Sequence, residues 1–466
     1  MSIYNNLIKN NNIMHTPLQL PITNIYGKGD YSVVVHLGSE QAPVNLLLDT
    51  GSSTLVVKEG VYQTKHDKQL TPSAIAQEVN YGIGGWNGPV IKSGITLSNY
   101  DLANKSKVGS EQITLTKGDI AVVSGKQQVA TFGDADGILG LAYHHLNKGF
   151  NLTSYFTQQN ISPATTYPWP FSDASETSPT STDLNAFKKF LWQYPEHDIV
   201  PYFTELEEEH LVANKFAFYS KRSSIFVDEA NKDINIATSP IADIEPLMQL
   251  SENQGALILG GGEEQTDLYQ GEFQSIQVEH DVYYNVELVS VQVGDKPVIK
   301  AEPLEQSHVK SYFTNAIIDT GAGAIVLTAT IYEQVIRDLI AINPSYEALL
   351  TPFKDYKEQY TGVDASLIEL DKWPTIYFNF VSNSSNANGE GHIDNEEKPT
   401  IQLACTPQTY WQLNCPTFGR ASLKLLSQLP QWPNQSIIGL PLLNNYYVVF
   451  DRSEDTNGVI KFAKQK

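Results

Sequence analysis

Cysteine is almost missing: the chain of 466 residues has two, Cys405 and Cys415. A scaffold held by many bridges is therefore excluded. The cysteines form no CxxC pair, the ten histidines are scattered without an HExxH pattern, and no metal site is expected. Basic residues are also short, 31 Lys and Arg against 52 Asp and Glu, a formal net charge of -21. Such a surface offers no cationic face to phosphates, which argues against a nucleic-acid partner. The surplus of acid suits mildly acidic surroundings, where protonation relieves self-repulsion, although solubility accounts for it equally well. No apolar run approaches the ~20 residues that cross a bilayer, so no membrane partner is expected. The Asn-rich start, Met1 to Asn12, has neither an apolar core nor a small-residue cleavage site and does not read as a secretory signal.

What is present is ample apolar material, 41% of residues with 24 Tyr and 18 Phe, in a chain long enough for two lobes. Two segments repeat each other: Leu47-Leu48-Asp49-Thr50-Gly51-Ser52-Ser53 and Ile317-Ile318-Asp319-Thr320-Gly321-Ala322-Gly323. Each is an apolar run delivering an aspartate to a tight turn, and each is followed by a fresh apolar run. One Asp-Thr-Gly is an ordinary turn. Two copies with the same lead-in can face each other and present two carboxyls to one water. Like charges so close cannot both ionise, so the pair holds one shared proton. One carboxylate then acts as base on the water while the other carboxyl protonates a substrate carbonyl.

The flanking motifs carry a resemblance to the pepsin-like aspartic proteases, from about Pro17 to Ala463. Tyr81-Gly82-Ile83-Gly84-Gly85 resembles the tip of that family's flap hairpin. Asp136-Gly137-Ile138-Leu139-Gly140-Leu141-Ala142-Tyr143 is similar to the segment closing its first lobe, and Ser436-Ile437-Ile438-Gly439 to the counterpart in the second. The resemblance implies an all-β, bilobal fold of two barrel-like lobes with a cleft between them. It implies an N-terminal lobe over 17–265 after a polar leader (1–16), and a C-terminal lobe over 266–466. Asp49 and Asp319 would hold the water, with Thr50 and Thr320 bonding across behind them. Gly51 and Gly321 would let backbone amides approach the carboxyls, and Ser52 would bond the outer oxygen of Asp49. The symmetrical position is Ala322, where most relatives carry Thr or Ser, so Asp319 loses a bond to its charged form. Tyr81, Gly82, Ile83 and Gly84 would form the flap; Phe132, Leu141, Tyr143 and Ile325 are the candidates for apolar pockets, although each taken singly reads more readily as core than as pocket. The flap tyrosine's usual Trp partner is replaced by Val56, and Trp86 is the candidate substitute. The implied function is an endopeptidase for peptides and proteins with bulky apolar residues at the scissile bond, working as a monomer, without cofactor, and blocked by pepstatin-type inhibitors. The alternative is an inactive relative that binds peptides or inhibitors in the cleft.

Cys405 and Cys415 either close one small disulfide loop, which the resemblance favours, or stay two thiols in a reducing compartment. No signal or propeptide is visible before Asp49. This resembles the bacterial pepsin homologues made without prosegments, and a cytoplasmic protein is expected, or a secreted one if the chain starts at a mature form. Strands are expected at 31–37 and 44–48, and a hairpin over 79–97. Helices are expected near 183–194, 330–343 and 422–429. A Pro-rich stretch between Tyr143 and Pro201 and an Asn/Ser-rich one over 382–398 read as inserted loops. Both read first as solvated decoration; the alternative for the first is that it lines one end of the cleft, because its Trp169, Phe171 and Trp192 are costly to leave exposed.

Overall fold

The computed structural model describes residues 16–81, 84–102, 104–124, 132–172, 180–382 and 399–466. β-Branched and aromatic runs dominate the chain, and 39% of it is strand against 21% helix, which makes the fold all-β. In the first half run β1 (Leu18–Gly27), β2 (Asp30–Leu37), β3 (Ala42–Asp49), β4 (Leu55–Val57), β5 (Thr71–Tyr81), β6 (Gly84–Asp101) and β7 (Ser106–Val122). They continue with β8 (Gly137–Gly140), β9 (Lys148–Asn151), β10 (Glu196–Asp198), β11 (Lys215–Tyr219) and β12 (Gln254–Leu259). From Tyr31 to Leu37 every residue of β2 is buried, so its apolar run is continuous where a half-exposed strand would alternate.

These strands form one sheet in the order β10-β9-β5-β6-β7-β4-β8-β3-β2-β1-β12-β11, which the strands 446–451, 459–465 and 269–277 of the second half extend. Both halves of the chain therefore share one sheet. The remaining second-half strands form smaller sheets of five, four and three strands among the described residues.

The sequence repeat is also a repeat of strand pairing. β3 runs parallel to β8, with Asp49 opposite Gly140, and β8 runs antiparallel to β4. In the second half Ala316–Ile318 runs parallel to Ser436–Ile438, which runs antiparallel to Ile325–Leu327. Each Asp-Thr-Gly turn thus leaves a strand, crosses, and returns on the far side of a third strand. The close crossing needs glycine: a Cβ at Gly140 would lie 2.5 Å from the Ser53 carbonyl carbon, and one at Gly439 2.2 Å from the Ala322 oxygen.

The helices expected near 183–194 and 330–343 form as α2 (Leu184–Leu191) and as Ala329–Ile342, preceded by the shorter α1 (Thr153–Gln158). Asp183 caps α2 by accepting from the Ala186 N–H. The expected helix at 422–429 is instead two short strands, Arg420–Leu423 and Leu425–Ser427. Their partners at Trp411–Leu413 and Ile325–Leu327 satisfy the backbone that a helix would have satisfied locally.

The disulfide expectation is corrected: Cys405 and Cys415 are both buried and both free. Cys405 ends a strand with its Sγ 3.5 Å from both Thr409 Oγ1 and the Pro441 carbonyl. Cys415 lies in the turn beyond Trp411–Leu413, where its N–H donates to Arg420 O at 3.2 Å. Burial pushes the Cys405 thiol up to about 12.

Candidate functional site

Both Asp-Thr-Gly turns meet, and their threonines hold them. Thr50 Oγ1 donates to the Ile318 carbonyl (2.9 Å) and accepts from the Thr320 N–H (2.9 Å). Thr320 Oγ1 donates to the Leu48 carbonyl (2.9 Å) and accepts from the Thr50 N–H (3.1 Å). Both threonines are fully buried, so these four bonds have no water to compete with.

In front of this frame the carboxyls of Asp49 and Asp319 hydrogen-bond to each other. Gly51 N–H donates to Asp49 Oδ1 and Gly321 N–H to Asp319 Oδ1, each at 2.8 Å. The glycines are required by the opposite carboxyl. A Cβ at Gly51 would fall 2.7 Å from Asp319 Oδ2, and one at Gly321 2.6 Å from Asp49 Oδ1.

The two carboxyls are not equivalent. Ser52 Oγ donates to Asp49 Oδ2 at 2.5 Å, a charge-assisted bond that favours the ionised form. Asp319 has Ala322 at the matching position. Burial raises both groups; the Ser52 and Gly51 donors offset part of this for Asp49, whereas the neighbouring Asp49 charge adds to it for Asp319. The Ser52 donor favours the ionised form of Asp49 over that of Asp319, while the shared proton belongs to the coupled pair.

Other groups lie near the pair without a signal in the sequence. Asp30 opens β2, and its Oδ1 would lie 2.9 Å from a Cβ at Gly323, in the second turn. Burial pushes its carboxyl up to about 7 despite an opposing pull from Lys424, so in acid Asp30 is a neutral carboxyl near the pair. Burial and the charges of Asp49 and Asp319 push the Tyr283 phenol up to about 12, which marks this half-buried ring as a cleft neighbour. Neither Asp30 nor Tyr283 has a motif around it, because strand returns from distant sequence bring them to the pair.

Several expected site residues lie elsewhere. Phe132 is fully buried with Leu47, Val56, Trp86 and Ile138, and so belongs to the core instead of a pocket. Leu141 and Ile325 are core residues too. Tyr143 joins the halves: its hydroxyl donates to the Asn457 carbonyl at 2.7 Å, and its ring meets Tyr284 at 5.0 Å. Arg452 lies 4.4 Å over the same ring and donates to the carbonyls of Leu141 and Ala142. Trp86 is fully buried in one cluster with Val56, so an indole fills the space beside that small residue. Tyr81 ends β5 and pairs with Gly84 across the hairpin. Gly82 and Ile83 lie outside the described residues.

The stretch after Tyr143 is not an open loop. Tyr155, Phe156, Phe171, Phe187 and Phe190 form an aromatic core of their own, on which Trp169 packs. Trp192, expected to be covered, is 61% exposed, with Lys188 Nζ 5.4 Å from its ring. The second insertion, from 383 to 398, lies outside the described residues. Among the described residues no cluster of His, Cys, Asp and Glu could hold a metal ion, and no helix is long and apolar enough to cross a membrane.

Compared with known families, residues 247–465 match the profile described as eukaryotic aspartyl protease. The matched segment contains Asp319 and its turn.

Proposed function

We propose that this protein, which residues 247–465 mark as a pepsin-like aspartic protease, is an active endopeptidase with Asp49 and Asp319 as its catalytic pair. The observation that carries the reading is the meeting of two Asp-Thr-Gly turns, with carboxyls in mutual hydrogen-bond contact, in front of four crossed threonine bonds. The family supports peptidase activity in general, and the local asymmetry supports the roles.

Asp49, held toward its ionised form by Ser52 and Gly51, takes a proton from the water as its oxygen attacks the peptide carbonyl. Asp319 gives its proton to the carbonyl oxygen, and a tetrahedral diol forms. The proton on Asp49 then passes to the amide nitrogen and the C–N bond breaks. Return of a diol proton to Asp319 restores the pair. Neither carboxyl can supply both steps, and the pair must carry one proton, which sets an acidic working range. Preference for bulky apolar residues, an extended substrate pairing in β fashion, and a monomeric working form follow from the family resemblance.

The test is digestion of a denatured protein across pH. Cleavage should be greatest in acid, abolished by pepstatin and unaffected by EDTA. Asp49→Ala and Asp319→Ala should each lower turnover by at least about a thousandfold, the scale on which removal of one member of a catalytic unit acts. Activity that survives either substitution, or that chelation removes, would overturn the assignment.

A further inference from the structure

The arm β5 belongs to the hairpin that ends at Tyr81, and its side chains alternate between the body of the molecule and the insertion. Ala76 is buried in the aromatic core of the insertion, and Glu78, with a side chain 4% exposed, faces Lys188 of α2 at 3.5 Å. On the other face Val79 packs on the core cluster around Val56. Gln77, also on that face, is 1% exposed and makes two bonds through one amide nitrogen. Its Nε2 donates to Thr54 Oγ1 at 3.0 Å and to Asn147 Oδ1 at 2.9 Å, and Thr54 Oγ1 donates to the same Asn147 oxygen at 2.9 Å.

The three corners of this buried triangle have different origins. Thr54 lies five positions after Asp49 on the first turn. Gln77 is on the hairpin arm. Asn147 is the neck of the insertion, because its carbonyl accepts from the Ile199 N–H at 2.8 Å where the insertion returns. The insertion also grips the arm's free edge: β9 pairs with Ile75 and Ala76, Leu152 N–H donates to Ala74 O at 2.9 Å, and Thr166 Oγ1 to Ile75 O at 2.7 Å.

We propose that residues 147–172 and 180–199 act as an abutment for the β5–β6 hairpin, with Gln77 and Asn147 as positioning residues that set the hairpin's distance from the Asp49 turn. This rests on the peptidase reading. A fixed arm presents its backbone to an extended substrate without an ordering cost at each binding event. Loosening the arm weakens binding in the ground and transition states alike, which appears in KM more than in kcat.

Gln77→Met keeps the length of the side chain and removes both donors. The expected result is a rise of about tenfold in KM for a long peptide, with kcat changed less than about threefold and the shape of the pH profile retained. Gln77→Glu supplies a donor only while its carboxyl is protonated, so its KM should approach the wild-type value in acid and climb as pH rises. This second variant keeps the question open to measurement if Gln77→Met folds poorly, and a thermal melt at each pH separates loss of the fold, which the buried charge would also make pH-dependent, from loss of binding by folded protein. Unchanged KM in Gln77→Met, or a loss in Gln77→Glu that is equal at every pH, overturns the positioning role. An inactive wild-type protein overturns the peptidase reading itself, so the two failures are distinguishable.

Discussion

Ala322 is the residue at which the two turns depart from each other. Its partner by symmetry, Ser52, bonds the outer oxygen of Asp49 at 2.5 Å, and Asp319 accepts from the Gly321 amide at 2.8 Å. A hydrogen bond to a carboxylate favours the charged form and lowers its pKa. Ala322→Thr adds such a donor beside Asp319, so the apparent pKa values of the pair should fall, by about 0.3–1 unit for a bond of ordinary strength. The pH profile of kcat/KM should move toward acid in both limbs, since the values belong to the coupled pair. Superimposable profiles for wild type and variant would mean that another group already occupies the place of the hydroxyl. Asp30 adds a third carboxyl at this scale. Burial pushes it up to about 7, and when ionised its charge raises Asp319 further.

At the scale of elements, the insertion behaves as a small unit with its own core. Phe171 is 1% exposed and meets Trp169 at 5.1 Å, Phe187 at 5.3 Å and Tyr155 at 5.6 Å. Phe171→Ala leaves a cavity that costs about 3–5 kcal/mol, as deletion of a buried ring commonly does. Because this cluster is separate from the main core, loss of protection in hydrogen exchange should concentrate in residues 148–199 and the β5 edge they cover. Even loss of protection across the strands of the second half would show that the insertion and the core unfold as one. The abutment proposed for Gln77 and Asn147 predicts that Phe171→Ala raises KM in the same experiment.

Across the whole molecule, the shared sheet is joined by a half-buried charge network. Glu263 lies just beyond β12, bonded to Lys215 of β11 at 2.7 Å and to Lys461 at 2.9 Å, and Lys461 also reaches Asp451 at 3.0 Å. Burial raises the Glu263 carboxyl, but the lysines outweigh it and lower the group from 4.5 to about 2. A depressed folded value means that the contribution is complete above about 4.5 and is lost as pH falls toward about 2. The seam therefore stays charged through most of the acidic range in which the carboxyl pair is proposed to work. Glu263→Gln should cost about 1–2 kcal/mol at neutral pH, allowing for the partial exposure of the group. Urea unfolding at a series of pH values should show the difference between variant and wild type shrinking across that window. A difference independent of pH would assign the cost to packing.

The sequence by itself determined the elements that depend on local pattern. The two Asp-Thr-Gly turns, the strands β2 and β3, the hairpin from β5 to β6 and the capped helix after Asp183 all follow from apolar periodicity and turn residues, which neighbouring side chains dictate. It also held the asymmetry at Ala322, since comparing two copies of one motif needs no third dimension. Tertiary structure alone decided the rest. Phe132 and Leu141 became core because burial depends on what covers a side chain, and periodicity does not report the cover. The segment 422–429 became strands because its partners lie far away in the chain and their ladder outweighs a local helix. The cysteines stayed apart because a spacing of ten positions says nothing about where the strand turns. Gln77, Thr54 and Asn147 met only on folding, and so did Asp30 and Gly323. A polar contact between distant segments leaves no periodicity in the chain, and its residues become legible only when their shared burial is seen.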